Sequence, residues 1–265
     1  MTGRGSSGEG VPYLERACEG AMRRARSGYY SAAWELKAAR RSLTGSLRSR
    51  VSVIAELKPS SPTAGSIRSV DDPRALIAKM IEGGADAISV LTVLDDFGGR
   101  PEYLRVASEL GAATLMKDFV VTRAQLEFAA RSGASAVLLI ARAFRLGLCE
   151  LDVDGMIGEA HDRCLEVLLE VYRAEDLDFA LRTDADLIGV NSRDLETLDL
   201  NLEKARAIVA ELPEGERWRT VVESGIGSRS DVEPFLGMGV NKFLVGTAVM
   251  RSQDPAAAIR AIKGE

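Results

Sequence analysis

Beyond about residue 50, short apolar runs rich in β-branched residues alternate along the chain with longer amphipathic stretches. This alternation is typical of repeated strand and helix units, in which helices cover buried parallel strands. Strands are predicted over eight runs: Val51–Glu56, Ala87–Leu91, Thr114–Lys117, Ala136–Ile140, Glu166–Glu170, Leu187–Asn191, Thr220–Glu223 and Lys242–Gly246. Eight strands within about 215 residues favour a closed (β/α)8 TIM barrel over a doubly wound open sheet of five or six strands.

The ends of the predicted helices carry local signals that agree with this period. Asp72 stands before Pro73 at the first turn of one helix, and Thr122 with Gln125 forms a capping box at another. The glycines that end a predicted helix just before the next apolar run are Gly84, Gly133 and Gly239. Their recurrence indicates that one supersecondary unit is repeated along the chain.

The residues before the first strand differ in character from the rest. Residues 1–11 are rich in Gly and Ser and are predicted to form a flexible tail. The Ala-, Arg- and Glu-rich stretches Tyr13–Arg26 and Tyr29–Arg41 are predicted to be helices. We therefore expect a helical extension over residues 12–48 and a barrel domain over 49–265. The extension is either a lid on the barrel or a solvated amphipathic segment.

Composition and charge narrow the class of partner. The net charge of -5 is modest for 265 residues, and the basic residues are scattered among acids, so no nucleic-acid partner is expected. The start of the chain has no signal-peptide core, and no apolar run approaches the ~20 residues that span a bilayer. The three cysteines are widely and irregularly spaced, which supports neither a disulfide framework nor a zinc site. We expect a cytoplasmic protein without a membrane partner, a monomer for which weak self-association stays open.

Active sites of TIM barrels lie at the C-terminal ends of the strands, and most of the predicted strands end in polar residues. These residues are Glu56 with Lys58, Lys117, Glu170, Asn191 with Arg193, Glu223 with Ser224, and Gly246 with Thr247. Carboxylates and ammonium groups that share one concave mouth shift each other's proton affinities, which favours acid–base catalysis. Any one of them alone is better explained by a solvated loop charge, but six strand ends together favour a site.

The loops after the last two strands predict a phosphate site. Ser224 and Gly225 follow one strand, and Gly246 and Thr247 follow the other, where hydroxyl and backbone N–H groups can bind an anion. The single histidine, His161, falls in a predicted helix, and no metal-ligand spacing is present. No dinucleotide fingerprint or P-loop follows a strand. We expect a small phosphorylated substrate and neither a metal nor a cofactor.

Several segments, in order from Val51 to Met250, resemble the indole-3-glycerol phosphate synthase family. They are Ile54-Ala-Glu-Leu-Lys-Pro-Ser-Ser-Pro, Ser89-Val-Leu-Thr, Leu115-Met-Lys-Asp-Phe, Ala136-Val-Leu-Leu-Ile, Leu168-Leu-Glu-Val, Ile188-Gly-Val-Asn-Ser-Arg-Asp-Leu, Glu223-Ser-Gly-Ile and Leu244-Val-Gly-Thr. The resemblance implies a cofactor-free carboxy-lyase of tryptophan biosynthesis. Such an enzyme converts 1-(2-carboxyphenylamino)-1-deoxy-D-ribulose 5-phosphate to indole-3-glycerol phosphate and releases CO2 and water.

The resemblance also implies roles for the polar residues. Lys117 matches the general acid that protonates the substrate ketone oxygen during ring closure. Glu56 and Glu170 match groups that transfer protons or stabilise charge, and the division between them stays open. The positions that match substrate-binding residues are Lys58, Ser61, Phe97, Asn191, Arg193 and Glu223. The positions that match phosphate-binding residues are Ser224, Gly225, Gly246 and Thr247.

Three departures from the family pattern concern substrate affinity and loop closure. Pro59 and Ser60 stand where a second basic residue commonly follows the first lysine. The segment Val93–Arg100 replaces a more usual aromatic stretch that contains Gln or Asn, and Thr247 stands where Ser is commoner.

Two other functions stay open from the sequence. A barrel isomerase that acts on a phosphoribosyl anthranilate would share the phosphate loops, but it would need a Cys and Asp pair where this chain has Glu56 and Lys117. A catalytically silent barrel that binds a partner is also compatible with the fold. Such a protein is expected to lack a key ionisable residue, and none is missing here.

Overall fold

A computed structural model describes residues 12–31 and 40–265 of the chain. Its main feature is a closed barrel of eight parallel strands with helices on the outside. The barrel strands are β1 (Ser52–Leu57), β4 (Ala87–Leu91), β5 (Thr114–Lys117), β6 (Ala136–Ile140), β7 (Glu166–Val171), β8 (Leu187–Asn191), β9 (Thr220–Glu223) and β10 (Lys242–Val245). Two short strands outside the barrel, β2 (Ser60–Ser61) and β3 (Gly65–Ser66), lie between β1 and β4 along the chain. The predicted (β/α)8 barrel is confirmed.

Neighbouring strands in the barrel follow the order of the chain. The ring closes where β1 pairs with β10, with Ala55 beside Val245. Five predicted strands have the observed bounds, and β1, β7 and β10 differ by one residue at one or both ends. Gly246, which was predicted to end the last strand, instead precedes the next helix as its N-cap residue.

Helices connect the strands and also precede the first one. They are α1 (Tyr13–Arg26), α2 (Leu43–Ser46), α3 (Pro73–Glu82), α4 (Pro101–Glu109), α5 (Arg123–Arg131), α6 (Ala141–Arg145), α7 (Val153–Asp162), α8 (Ala174–Ala180), α9 (Leu202–Glu211), α10 (Arg229–Gly237), α11 (Thr247–Arg251) and α12 (Pro255–Lys263). A 3-10 helix covers Glu214–Arg219. In the described part of the chain, no helix combines the length and the apolar character needed to cross a membrane.

The predicted helix boundaries have the expected local structure. The Asp72 side chain accepts a hydrogen bond from the backbone N–H of Ala75 at 3.0 Å, and Thr122 forms a capping box with Gln125. The glycines predicted to end helices all have positive φ values: Gly84, Gly133 and Gly239. These signals were readable in the sequence because each depends on only a few neighbouring residues.

Two apolar layers form the core, one inside the barrel and one between the barrel and its helices. On β5, Leu115 packs inside the barrel and Met116 packs outward. Because side chains alternate between the faces of a strand, Lys117 faces inward again at the C-terminal end. The same alternation directs Glu56 of β1 and Glu223 of β9 inward. The strand pattern therefore delivers charged side chains to one end of the barrel.

The N-terminal prediction is confirmed for its first helix and wrong for the described part of its second. The predicted helix Tyr13–Arg26 is α1. The tail predicted over residues 1–11 lies outside the described residues, as does most of the helix predicted over Tyr29–Arg41. The described ends of that second segment are not helical. Gly28, with a φ of 82°, turns the chain after α1, and the side chain of Tyr30 is then buried in the hydrophobic core.

Two small features have no counterpart in the sequence predictions. Helix α2 lies before the first strand, and a short antiparallel hairpin of β2 (Ser60–Ser61) and β3 (Gly65–Ser66) follows it. Elements of two to four residues are too short to produce a periodic pattern. The hairpin matters for the site because it lies in the loop that follows β1.

Candidate active site

The C-terminal ends of the barrel strands surround a cavity of about 500 Å³. All of the residues that the sequence predicted for a site line this cavity. They are Glu56, Lys58, Ser61, Phe97, Lys117, Glu170, Asn191, Arg193, Glu223, Ser224, Gly225, Gly246 and Thr247. The fold brings the predicted set to one place, and the contacts within the set indicate what each member can do.

Lys117, the last residue of β5, is at the centre of the charged part of the cavity. Its ammonium donates hydrogen bonds to Oε2 of Glu223 at 2.8 Å and to Oε2 of Glu170 at 3.2 Å. Burial lowers the pKa of this ammonium, but the negative charges of Glu223, Glu170 and Glu56 outweigh burial and raise the pKa above its ordinary value. Lys117 is therefore a protonated donor throughout the neutral pH range.

Glu223, the last residue of β9, has a carboxyl group that titrates near neutral pH. Burial raises its pKa and Lys117 lowers it, while Glu170 and Glu56 raise it as nearby negative charges, and the result is about 7. Its Oε1 atom is buried and has no hydrogen-bond partner among the described residues. A carboxyl group that exchanges its proton near pH 7 beside a charged lysine is suited to acid–base chemistry.

Glu56 and Lys58 form a second ion pair on the β1 side of the cavity. Lys58 Nζ lies 2.8 Å from Oε2 of Glu56. Burial raises the pKa of Glu56, but the charges of Lys58 and Lys117 outweigh it, so the pKa lies below its ordinary value. Gly246 faces this pair, since a Cβ atom there would overlap Oε2 of Glu56 and lie 3.1 Å from Lys58 Nζ. Gly246 thus leaves space for the ion pair.

The loop after β8 holds a cation at the rim of the cavity. The Asn191 side-chain oxygen accepts a hydrogen bond from the Arg193 backbone N–H at 2.9 Å. The Arg193 guanidinium donates a hydrogen bond to the carbonyl of Leu198 at 2.7 Å. The backbones of Arg193 and Leu200 form an isolated antiparallel β-bridge. These bonds fold the loop back on itself, so the guanidinium of Arg193 has a fixed place beside the cavity.

The loops after β9 and β10 have a backbone suited to an anion. Ser224 and Gly225 have φ values of 65° and 78°, and a left-handed conformation is uncommon for a residue with a side chain. Successive residues in such turn conformations direct backbone N–H groups to one point. Gly246 and Thr247 begin the short helix α11 at the same cavity. The two loops together supply backbone and hydroxyl donors.

One wall of the cavity is apolar and includes residues that the sequence analysis did not identify. The ring centroid of Phe119 lies 6.3 Å from that of Phe97 and 6.2 Å from that of Tyr13. Such a wall can receive an aromatic ring. Other lining residues that the sequence analysis missed include Asp118, Leu138, Ile140 and Arg251. Tyr13 gave no signal in the sequence because it lies in α1, many residues before the first strand.

The loop between β4 and α4 joins the N-terminal helix to the cavity. Arg24 of α1 pairs with Asp95 at 2.6 Å, and the Tyr13 hydroxyl donates to Asp96 at 3.2 Å. The carbonyl of Phe97 accepts a hydrogen bond from the Ser60 backbone N–H of the hairpin at 3.0 Å. Helix α1, this loop and the hairpin are therefore connected along one side of the mouth.

The histidine and the cysteines lie outside the charged cluster. His161 Nε2 is 3.0 Å from Oδ2 of Asp186, and neither residue lines the cavity. Cys18, Cys149 and Cys164 are free thiols and do not line it either. Across residues 12–31 and 40–265, no group of three or more His, Cys, Asp or Glu residues is arranged to hold a metal ion.

Comparison with known proteins points to one family. The model of the family indole-3-glycerol phosphate synthase matches residues 16–262. A relative of that name from Methanopyrus kandleri is 43% identical over 213 residues, which cover 79% of this chain and 82% of the relative. A relative of that name from Koribacter versatilis is 36% identical over 265 residues, which cover 100% of this chain and 94% of the relative.

Solved structures agree on the architecture. The 3-hexulose-6-phosphate synthase from Salmonella typhimurium matches with a TM-score of 0.61 and 15% sequence identity, over 80% of this chain and 97% of that one. At this level of identity the similarity supports the barrel fold alone.

Proposed function

The chain belongs to the indole-3-glycerol phosphate synthase family, and we propose that its barrel mouth converts 1-(2-carboxyphenylamino)-1-deoxy-D-ribulose 5-phosphate to indole-3-glycerol phosphate, CO2 and water. This is a carboxy-lyase reaction of tryptophan biosynthesis. The observation that carries the proposal is the Lys117 ammonium, held between Glu170 and Glu223 in a cavity that also has an aromatic wall. A fixed proton donor beside an apolar wall is what ring closure of an aromatic substrate requires.

Binding would use the different parts of the cavity for different parts of the substrate. The aromatic ring packs against Phe97 and Phe119, and its carboxylate pairs with the cations of Lys58 and Arg193. Asn191 and Ser61 hydrogen-bond the polar chain. The phosphate is bound by the two donor loops, through Ser224, Gly225, Gly246 and Thr247.

Ring closure would be the first chemical step. A bond forms between the ring carbon that bears the carboxylate and the ketone carbon, while the ketone oxygen takes a proton from Lys117. Because the ammonium is already hydrogen-bonded to two buried carboxylates, it needs little reorganisation to meet the developing alkoxide. The ring carbon supplies the electron pair of the new bond, so the ring loses its aromaticity at this step, and the loss of CO2 that restores it is favourable.

Loss of CO2 and then of water would complete the reaction. The bond to the carboxylate breaks, and its electron pair returns to the ring. The new hydroxyl group then takes a second proton from one of the two glutamates Glu56 and Glu170 and leaves as water, while the other takes a proton from the methylene carbon beside nitrogen. The two residues thus share the roles of proton donor, proton acceptor and charge stabiliser, and the division between them stays open. The contact of Glu170 with Lys117 provides a path by which a proton can return to the lysine.

We also propose the domain division, the location and the assembly. The helical extension covers residues 12–48 and the barrel domain 49–265. The free thiols fit a reducing cytoplasm. A monomer is the expected state in solution, and light scattering of the purified full chain measures it.

The test of the proposed function is turnover without added metal or nucleotide. Purified protein is mixed with the carboxyphenylamino substrate, and indole fluorescence is followed over time for the parent and for Lys117→Ala. We expect the parent to produce the signal and the variant to fall by at least ~100-fold in kcat, because it lacks the general acid.

Two results would contradict the proposal. An inert parent that still binds the substrate, measured by calorimetry, would favour a silent barrel that binds without turnover. Equal activity of the parent and of Lys117→Ala would support the reaction but would show that this lysine is not its general acid. The isomerase alternative lacks support, since no cysteine lines the cavity.

A further inference from the structure

Glycine at position 189 leaves a space that a carboxylate fills. Gly189 lies in the middle of β8, and it pairs in register with Glu170 of β7 and with Val221 of β9. A Cβ atom at position 189 would overlap Oε1 of Glu223 and would lie 3.5 Å from the Cα atom of Glu170. The residue therefore lies between β7 and β9, the two strands whose glutamates contact Lys117.

A glycine at position 189 makes β8 less stable than a residue with a side chain would. A glycine inside a strand loses more conformational entropy on folding than other residues and contributes no side chain to the core. Gly189 has an ordinary φ, so no backbone conformation there calls for glycine. The feature that does call for it is the close approach of the Glu223 side chain.

The approach determines where the Glu223 carboxylate can lie. With no Cβ atom at position 189, Glu223 extends over β8 and its Oε2 reaches Lys117 at 2.8 Å. The other oxygen, Oε1, is the atom that faces Gly189, and it is buried without a hydrogen-bond partner among the described residues. A methyl group at 189 would displace this oxygen and with it the contact to the lysine.

We propose that Gly189 is a positioning residue, which holds open the space that lets Glu223 reach Lys117. The proposal rests on the proposed function, because it assigns Gly189 an effect on the same acid–base cluster. Gly189 touches neither the substrate nor the reacting atoms in this proposal, and it acts through Glu223 alone.

A double-mutant cycle tests this. The variants are Gly189→Ala, Glu223→Asp and the pair, because aspartate is shorter by one methylene and withdraws the carboxylate from the new methyl group. The matched control is Gly158→Ala on α7, where an added Cβ atom meets no atom within 4 Å. For each variant, kcat, KM and the pH profile of kcat are measured with thermal unfolding of the full chain.

We expect Gly189→Ala to lower kcat on the order of 10²-fold, with a smaller effect on KM, because the displaced Glu223 no longer holds the general acid Lys117 in place. The paired variant should stay within about twofold of Glu223→Asp alone, because the methyl group has nothing left to displace. Gly189→Ala should also move the ionisation near pH 7 in the kcat profile, and Gly158→Ala should leave the profile unchanged.

Additive losses in the paired variant would overturn the proposal, since Gly189 would then act independently of Glu223. The unfolding measurements keep the test valid if Gly189→Ala fails to fold, or if the parent shows no turnover. If Glu223→Asp restores the folding of Gly189→Ala, the clash with Glu223 is supported. If the paired variant is as unstable as the sum of the singles, the glycine serves strand packing and the proposal fails. A parent without turnover would reject the proposed function. If the stability losses of the two single variants were then non-additive in the pair, the clash between position 189 and Glu223 would still be supported.

Discussion

Glu56, Glu170 and Glu223 are all buried, and they share the ammonium groups of Lys58 and Lys117 inside the barrel. Buried carboxylates are stable only when charges or hydrogen bonds compensate for lost hydration. A substrate with a carboxylate and a phosphate adds further negative charge to this cluster. The proton on Glu223 is therefore the component that we expect to respond first to pH and to binding.

We predict that kcat/KM falls as the pH drops below about 7 and that Glu223→Gln abolishes this acid limb. The sign follows from the pKa of about 7 for Glu223, since protonation at lower pH removes one of the two carboxylates that hold Lys117. The measurement is a pH series of initial rates from pH 5.5 to about 8.5. A parent profile without this ionisation, or the same limb in the glutamine variant, would assign the titration to another group.

The chemistry of single residues was predictable where it interrupts an apolar run. Lys117 and Glu223 were found because a charged residue at the end of a buried strand is conspicuous in the sequence. Gly189 was not found, because a glycine within an apolar run has no chemical signal of its own. Its effect depends on the neighbouring strand, and only the three-dimensional register reveals it. Tyr13 was missed for a similar reason, since its helix meets the cavity only in the fold.

The loop between β4 and α4 and the N-terminal helix form a connected unit. The segment Val93–Arg100, which the sequence analysis predicts to be unusual for the family, contains Asp95 and Asp96, and these residues bind Arg24 and Tyr13 of α1. This segment therefore contacts the chain's own N-terminal extension. The sequence predicted the helix and the unusual loop separately, but it contained no sign that they meet.

Asp118 links the same extension to the strand that carries Lys117. Its buried carboxylate accepts hydrogen bonds from the Tyr30 hydroxyl at 2.8 Å, from Thr92 Oγ1 at 2.6 Å and from the Phe119 backbone N–H at 2.8 Å. Burial raises the pKa of Asp118 above its ordinary value, although these hydrogen bonds and Arg24 lower it. Each donor thus offsets part of the cost of burying the carboxyl group.

We predict that Tyr30→Phe destabilises the protein by about 1–3 kcal/mol, because it leaves the buried Asp118 short of a donor. Urea unfolding followed by fluorescence measures the change. Tyr103→Phe is the matched control, since Tyr103 is also buried and its hydroxyl forms no hydrogen bond with the described part of the chain. Equal losses in the two variants would mean that the hydroxyl of Tyr30 contributes nothing beyond its packing.

The molecule as a whole depends on the apolar layer inside the barrel, below the charged cluster. This layer draws one or more side chains from each strand and extends to Leu14 and Cys18 of α1. The barrel and its closure were predictable because eight apolar runs and their helix signals agree with one another. The path of residues 29–31 was not, because burial of Tyr30 overrides the helix propensity of the surrounding sequence.

We predict that Leu115→Ala, in this interior layer, lowers the free energy of unfolding by about 2–5 kcal/mol, as is typical of substitutions that leave a cavity. Leu115 is completely buried, and its neighbours belong to other strands of the ring, so the loss is felt by the whole barrel. Ile81→Ala on α3, at a residue that is 36% exposed, should change stability far less. Chemical denaturation of both variants makes the comparison. A similar loss in both would mean that the interior is less tightly packed than this structure indicates.

Glycines at positions 189 and 246 keep apolar side chains out of the top of the barrel, and carboxylates occupy the room instead. This arrangement lowers the stability of the protein in favour of its activity, since hydrophobic residues of similar volume in the same space would make the fold more stable. A laboratory selection for heat resistance alone would therefore erode this part of the molecule first. Thermostable descendants chosen without an activity screen should accumulate apolar replacements at Glu56 and Glu223, and they would be sturdy barrels that no longer turn over substrate.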